Sequence, residues 1–186
     1  MGSVDQSGDH RTLRGAELGP GELLRDAFGR IRDEVHHVLD GVDVEALTYR
    51  ADSQANSIAW LVWHLTRVQD DHVAGVAGTE QVWVAGGWAD RFNLQLDVRD
   101  IGYGHTPEQV ALVSAGAELL GDYHDAVFDN TAQYVSSLSG DDLDRVVDRR
   151  FDPPVTLAVR LVSVVSDDLQ HVGQAALLRG IADRAS

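Results

Sequence analysis

Asp167-Asp168-Leu169-Gln170-His171-Val172-Gly173-Gln174 interrupts a segment, Val155 to Arg184, that is otherwise mostly valine, leucine and alanine at helical spacing. On a helix turning by about 100° per residue, Asp167 lies one turn before His171 on the same side. Asp168 lies one turn back on the other side, nearer the apolar arc of Leu161, Val165, Leu169, Val172 and Ala176. A carboxylate and an imidazole three or four residues apart converge on one point, which is ligand spacing for a metal ion. Polar groups in an apolar stripe cost several kcal/mol unless something pairs them. A buried Asp–His hydrogen bond without metal would also serve, so a site requires a further ligand from another helix. His64 is the best placed of the other histidines, and either aspartate can complete the pair.

The whole chain narrows the chemistry further. It has 186 residues, no cysteine and a formal charge of −15. That length suits one domain with a real core. Without cysteine there is no disulfide, thiolate zinc site or protein-thiol catalysis, so any thiol chemistry must use a thiol carried in by a small molecule. The acidic field repels phosphate backbones and disfavours nucleic acid. No apolar run approaches about 18 residues, and residues 1–19 lack the apolar stretch of a secretory signal. They read as a polar, disordered lead-in to a single domain over 20–186, with the cytoplasm as the expected location.

Four amphipathic segments must position the candidate ligands. Leu24, Phe28, Ile31, Val35 and Val38 mark the first, ending near Asp40-Gly41. A polar connection over Val42 to Gln54 follows. Asn56 or Ser57 caps the second helix, whose stripe is Ile58, Leu61, Leu65, Val68 and Val76 before Gly78. Thr79 to His105 is aromatic and glycine-bearing but shows no long period. A connection of that size in a compact domain is usually functional or folded over one end. Thr106-Pro107-Glu108 starts the third helix, predicted to continue through Val110, Val113, Ala117, Leu120, Val127, Tyr134 and Leu138. The fourth is the Val155–Arg184 segment. With no strand run, the expected fold is all-α, a four-helix bundle in which the Thr79–His105 segment permits a long crossover connection rather than simple up-down connectivity.

Several residues have plainer readings than a site. His72 and His124 lie within apolar stripes and are expected to be buried, hydrogen-bonded imidazoles. Asp33 and His37 form a solvated surface pair. Trp60, Trp63, Trp83 and Trp88 are chiefly core or loop anchors, and less often a substrate wall. Asp90-Arg91 reads as an ion pair tying down the loop, unless Arg91 stands at a pocket mouth to meet an anionic group. His10, His36 and His105 carry no spacing signal.

Trp63-His64-Leu65-Thr66, followed by Gln170-His171-Val172-Gly173-Gln174 and Leu178-Arg179-Gly180, resembles the DinB/YfiT-like family of metal-binding four-helix bundles. The resemblance covers nearly the whole chain after about residue 20. The family pattern places one histidine on the second helix and a His-x-x-x-His pair on the last. Its ligands fall here on His64, Asp167 and His171, so an acid replaces one histidine. In that respect the chain is similar to the actinobacterial branch of mycothiol-dependent enzymes, of the maleylpyruvate isomerase and mycothiol S-transferase type. The resemblance implies zinc or a similar divalent ion (nickel in purified protein), with Asp168 orienting His64 or His171 from behind or replacing Asp167. It further implies mycothiol as cosubstrate, and a homodimer.

Three protein ligands leave a fourth position open. Two imidazoles and one carboxylate leave a divalent site with a charge of about +1, which keeps it Lewis acidic. The function expected is thiol transfer to an electrophile, or thiol-assisted isomerisation, with metal-bound thiolate as nucleophile. Arg91, Arg179, Trp60 and Trp88 are the candidates for holding cosubstrate or electrophile. The alternatives are a metal-dependent hydrolase using water in the open position, and a non-enzymatic stress or binding protein with a vestigial site.

Overall fold

The computed structural model describes residues 19–185. Apart from Gly19, the expected lead-in over 1–19 lies outside the described residues.

Helix α1 (Pro20–Leu39) begins on proline and buries Phe28, Ile31, Val35 and Val38. The expected polar connection after it holds a short helix, α2 (Val44–Thr48), capped by the Asp43 carboxylate, which accepts from Ala46 N at 2.8 Å. Of the two capping residues considered for α3 (Ile58–Ala77), Ser57 is the one used: its Oγ accepts from Trp60 N at 3.2 Å. Gly78, at φ 71°, closes that helix. Every residue of α3 from Ile58 to Asp70 is buried, so it is the central helix of the molecule.

The connection that follows is partly helical, with α4 (Val82–Ala85) and α5 (Trp88–Phe92). Asp70 fixes its start. The carboxylate accepts from Val82 N and Trp83 N, both at 2.8 Å, and from the Tyr123 hydroxyl at 2.9 Å. Arg67, wholly buried, lies 3.4 Å from the same carboxylate and 4.8 Å over the Trp83 ring.

The predicted third helix is two helices, α6 (Pro107–Leu112) and α7 (Ala117–Ser136). The chain leaves the helix at Val113 (φ −85°, ψ 91°), and Ser114 and Gly116 in the gap have low helix propensity. Val110 and Val113 are both buried without a continuous helix, so their spacing alone was ambiguous. After α7 a small antiparallel ribbon pairs β1 (Val146–Asp148) with β2 (Val155–Thr156) and feeds directly into α8 (Leu157–Ala185). These strands are too short to show an alternating pattern.

The four long helices form a ring in which α3 packs on α7 and α8, and α1 packs on α7 and α8. Thr66 meets His124 and Gln69 meets Thr131, so α3 and α7 run parallel. Consecutive long helices that run parallel need a connection as long as the bundle, which is why some forty residues separate them. His64 lies beside His171, and His72 beside Arg160, so α3 and α8 run antiparallel. The fold is an all-α bundle with one long crossover.

Candidate metal centre

The α3–α8 seam carries the site. His64, 3% exposed, projects from α3, while Asp167 and His171 project from α8 one turn apart. The imidazoles of His64 and His171 lie 4.8 Å apart at 72°. His171 Nε2 is 3.7 Å from Asp167 Oδ1, and one ligand atom from each of the three residues lies within 4.8 Å of the others.

Both imidazoles are oriented from behind. Nδ1 of His64 donates to the carbonyl oxygen of Ile101 in the crossover, and Nδ1 of His171 donates to Gln174 Oε1 at 3.2 Å. Each ring then keeps the Nε2 lone pair for an ion. Burial, helped by the neighbouring His171, pushes His64 down to about 4, so it is neutral at ordinary pH. Asp167 Oδ2 is buried with no hydrogen bond among the described residues. Two lone-pair-bearing imidazoles beside an unsatisfied carboxylate oxygen fit a divalent cation.

Asp168 is not part of this group. It points into the core, wholly buried, and neither oxygen has a hydrogen-bond partner among the described residues. The orienting role expected of it falls to Ile101 and Gln174 instead, because the step of one residue along α8 turns its side chain away from the seam. Burial and the adjacent Asp167 raise its carboxyl well above the usual range.

The crossover segment builds the outer wall. Trp60 stacks on His64 with ring centres 4.5 Å apart at 16°, and its ring lies nearly perpendicular to that of His171 with centres 6.3 Å apart. Trp60 Nε1 donates to His105 Nδ1 at 3.0 Å, His105 Nε2 donates to Asp100 Oδ2 at 3.0 Å, and Asp100 Oδ1 accepts from Gly102 N at 2.8 Å. His105, without signal in the sequence, thus locks the wall in place. Tyr103 stands between Gly102 and Gly104 with its ring 5.5 Å from that of His64. At Gly102 (φ 97°) a Cβ would sit 2.6 Å from His64 Nδ1, so only glycine lets the backbone approach this closely. Beside these residues a cleft of about 340 Å³ opens along the seam, lined by Tyr103, Asp167, Val68, Val164, His72 and Arg160 among others.

Of the residues expected to hold substrate, Trp60 alone touches the centre. Arg91 lies 3.9 Å over Trp88 and pairs with Asp122 at 3.6 Å rather than with Asp90. Trp88 packs on Tyr123, in the aromatic cluster around Trp83 and Phe92. Arg179 closes the end of α1 by donating to the carbonyls of Val38 and Asp40, both at 2.9 Å, and pairs with Asp183. His124 is buried and hydrogen-bonded to Thr66 at 3.0 Å, as its stripe position suggests. His72 is only partly buried and meets Arg160. Asp33 and His37 are both exposed on α1.

No match was found among curated proteins. Among solved structures the chain is similar to a conserved protein from Enterococcus faecalis, with 30% sequence identity and a TM-score of 0.80 over 85% of this chain and 94% of that one. A family profile described as mycothiol-S-transferase matches residues 23–184, nearly the whole length of the described structure. With that extent of match and the His64–Asp167–His171 geometry beneath it, the chain belongs to the mycothiol-S-transferase family.

Proposed function

We propose that this protein is a divalent-metal-dependent S-transferase that joins a low-molecular-weight thiol, mycothiol, to an electrophilic small molecule. The observation that carries the reading is the convergence of His64, Asp167 and His171 with both Nδ1 atoms already engaged. Zinc suits two imidazoles and a carboxylate, since that set leaves a tetrahedral ion one open position. When bound, such a cation lowers the pKa of an entering thiol and favours the thiolate.

The protein's own groups do the rest. Ile101 and Gln174 hold the imidazoles so that neither can swing away. Trp60, 5% exposed, covers one side of the centre and keeps water from it. Tyr103, 61% exposed, stands at the mouth, and its hydroxyl makes no hydrogen bond among the described residues. The lack of any cysteine means the sulfur must arrive with the cosubstrate. A homodimer is part of the proposal, supported by an exposed apolar stripe on α8 of Val162, Leu169 and Leu177. So is the cytoplasm, where low-molecular-weight thiols are kept reduced. Among the described residues no helix is long and apolar enough to cross a membrane.

The test is turnover of a chlorinated nitroarene by zinc-loaded protein with and without mycothiol. Thiol-dependent product formation supports the transferase. Hydrolysis that proceeds equally well without thiol supports a hydrolase, and zinc-loaded protein inert with either supports a non-enzymatic role.

A further inference from the structure

The α3–α8 seam has a second polar rung. Along α3, His64, Val68 and His72 lie one turn apart on a single edge, and along α8 the matching edge carries Arg160, Val164, Asp167 and His171. The antiparallel packing sets His72 opposite Arg160, just as it sets His64 opposite His171. The two rungs are separated by about 10 Å along the helices, the rise of seven residues from Arg160 to Asp167. Between them lie Val68 and Val164, both 1% exposed, with Val155, Val159 and Phe151 along the same cleft.

The chemistry of the second rung is that of an anion receptor. Arg160 Nη1 donates to His72 Nδ1 at 3.0 Å, and because arginine has no lone pair to offer, His72 must carry its proton on Nε2. That Nε2–H has no hydrogen bond among the described residues. Arg160 Nη2 reaches Asp148 Oδ2 at 3.3 Å, but Arg150 binds the same carboxylate at 2.7 Å. Arg150 thus shares the neutralisation of Asp148, which leaves Arg160 only partly compensated, while Asp71 Oδ2 stands 3.6 Å from His72 Nδ1 on the other side of the rung. An adjoining cleft of about 540 Å³ shares His72 and Arg160 and adds Arg145 and Asp71, so its lining of three arginines against two aspartates is also net positive. This is a local exception in a chain of formal charge −15.

We infer that this rung selects the electrophile, and that the molecule accepted has an apolar body about one aromatic ring long ending in a carboxylate that Arg160 and His72 hold. The inference rests on the proposed S-transfer at the metal centre and adds the identity of its second substrate. The apolar walls suit such a body better than a polyol, so the thiol cosubstrate approaches from the Tyr103 side and the electrophile fills the seam. In the reaction a C–S bond forms as a carbon–halide bond breaks, the halide leaves with the electron pair, and the thiol proton goes to solvent.

The test pairs each acid with its methyl ester. Calorimetric titration of the purified protein, before and after chelation, with para-nitrobenzoate and its methyl ester reads binding alone. Turnover with mycothiol and para-chloro-meta-nitrobenzoate or its ester reads chemistry. The acid is expected to be preferred by about tenfold or more in binding, and by a similar factor in turnover once each rate is divided by that of the uncatalysed reaction with thiol, the worth of one charge-assisted hydrogen bond. Arg160→Met should bring that ratio to about one, while Arg160→Lys keeps part of it. Equal handling of acid and ester by the wild type overturns the inference without needing any variant. A preference that survives Arg160→Met also overturns it, since the carboxylate is then held elsewhere, for instance by the cation. Acid-selective binding lost in Arg160→Met, with no thiol-dependent turnover, supports the rung and sinks the S-transfer reading. Thiol-dependent turnover without acid selectivity does the reverse.

Discussion

His64 Nδ1 is held by the carbonyl oxygen of Ile101, a residue 37 positions further along the chain. The tautomer of this buried imidazole is therefore set by the crossover and not by its own helix. Anything that lifts the 100–105 segment should weaken the metal centre even though no ligand is altered.

Gly102→Ala is the sharpest such change. Its Cβ would meet His64 Nδ1 at 2.6 Å, Trp60 Cζ2 at 3.1 Å and Trp63 Cζ3 at 3.2 Å, at a φ of 97° that alanine avoids. Expected are a loss of about 1–3 kcal/mol in stability and a zinc affinity reduced by about 10–100-fold. Urea unfolding and chelator competition measure the two. Unchanged zinc affinity would mean that the loop does not orient His64.

Gln174→Leu removes the partner of His171 Nδ1 at an exposed position of α8, so the fold should survive. Zinc binding should weaken by about tenfold or more, with the far-ultraviolet spectrum unaltered. A variant that binds zinc like the wild type would show that His171 needs no such support.

The spacing in the last helix made Asp167 and His171 legible from sequence, because a helical period fixes which residues share an edge. It left Asp167 and Asp168 unresolved, since both lie within a turn of His171 and only the packing of α3 against α8 decides which faces the seam. From sequence, Arg91 and Arg179 are candidates for holding cosubstrate or electrophile. A sequence does not display Trp88 beneath one guanidinium or the last carbonyls of α1 around the other. The Trp60–His105–Asp100 chain was invisible for a similar reason: it joins a helix to an aperiodic loop. The crossover itself was legible from its length, though its two short helices were not.

Asp168→Asn should stabilise the protein. The carboxyl is fully buried and unpaired, and its folded pKa lies well above the unfolded value near 3.8. The unfolded state therefore releases its proton first, and stability falls as pH rises from about 4 toward the folded value. Replacing the titrating carboxyl by an amide should raise stability at pH 7 in urea unfolding and flatten this part of the stability–pH curve, with metal content unchanged. Lower stability, or loss of metal, would show that the carboxylate is used.

His124 predicts the opposite slope. Complete burial lowers it from 6.5 to about 4, so below pH 6.5 the unfolded state takes up a proton that the folded state refuses. Its contribution is fully present above pH 6.5 and is lost as pH falls toward 4, amounting to about 2–3 kcal/mol by pH 4.5. His124→Gln should flatten that part of the stability–pH curve. An unchanged acid limb would assign the loss to other groups.

The central claim is that His64, Asp167 and His171 hold one cation between α3 and α8. An anomalous difference map collected at the zinc absorption edge from zinc-loaded crystals tests it directly. A single strong peak is expected about 2.0–2.2 Å from an imidazole nitrogen of His64 and of His171 and from an oxygen of Asp167. A well-ordered α3–α8 seam with no peak there, or with the zinc bound by other residues, would contradict the account.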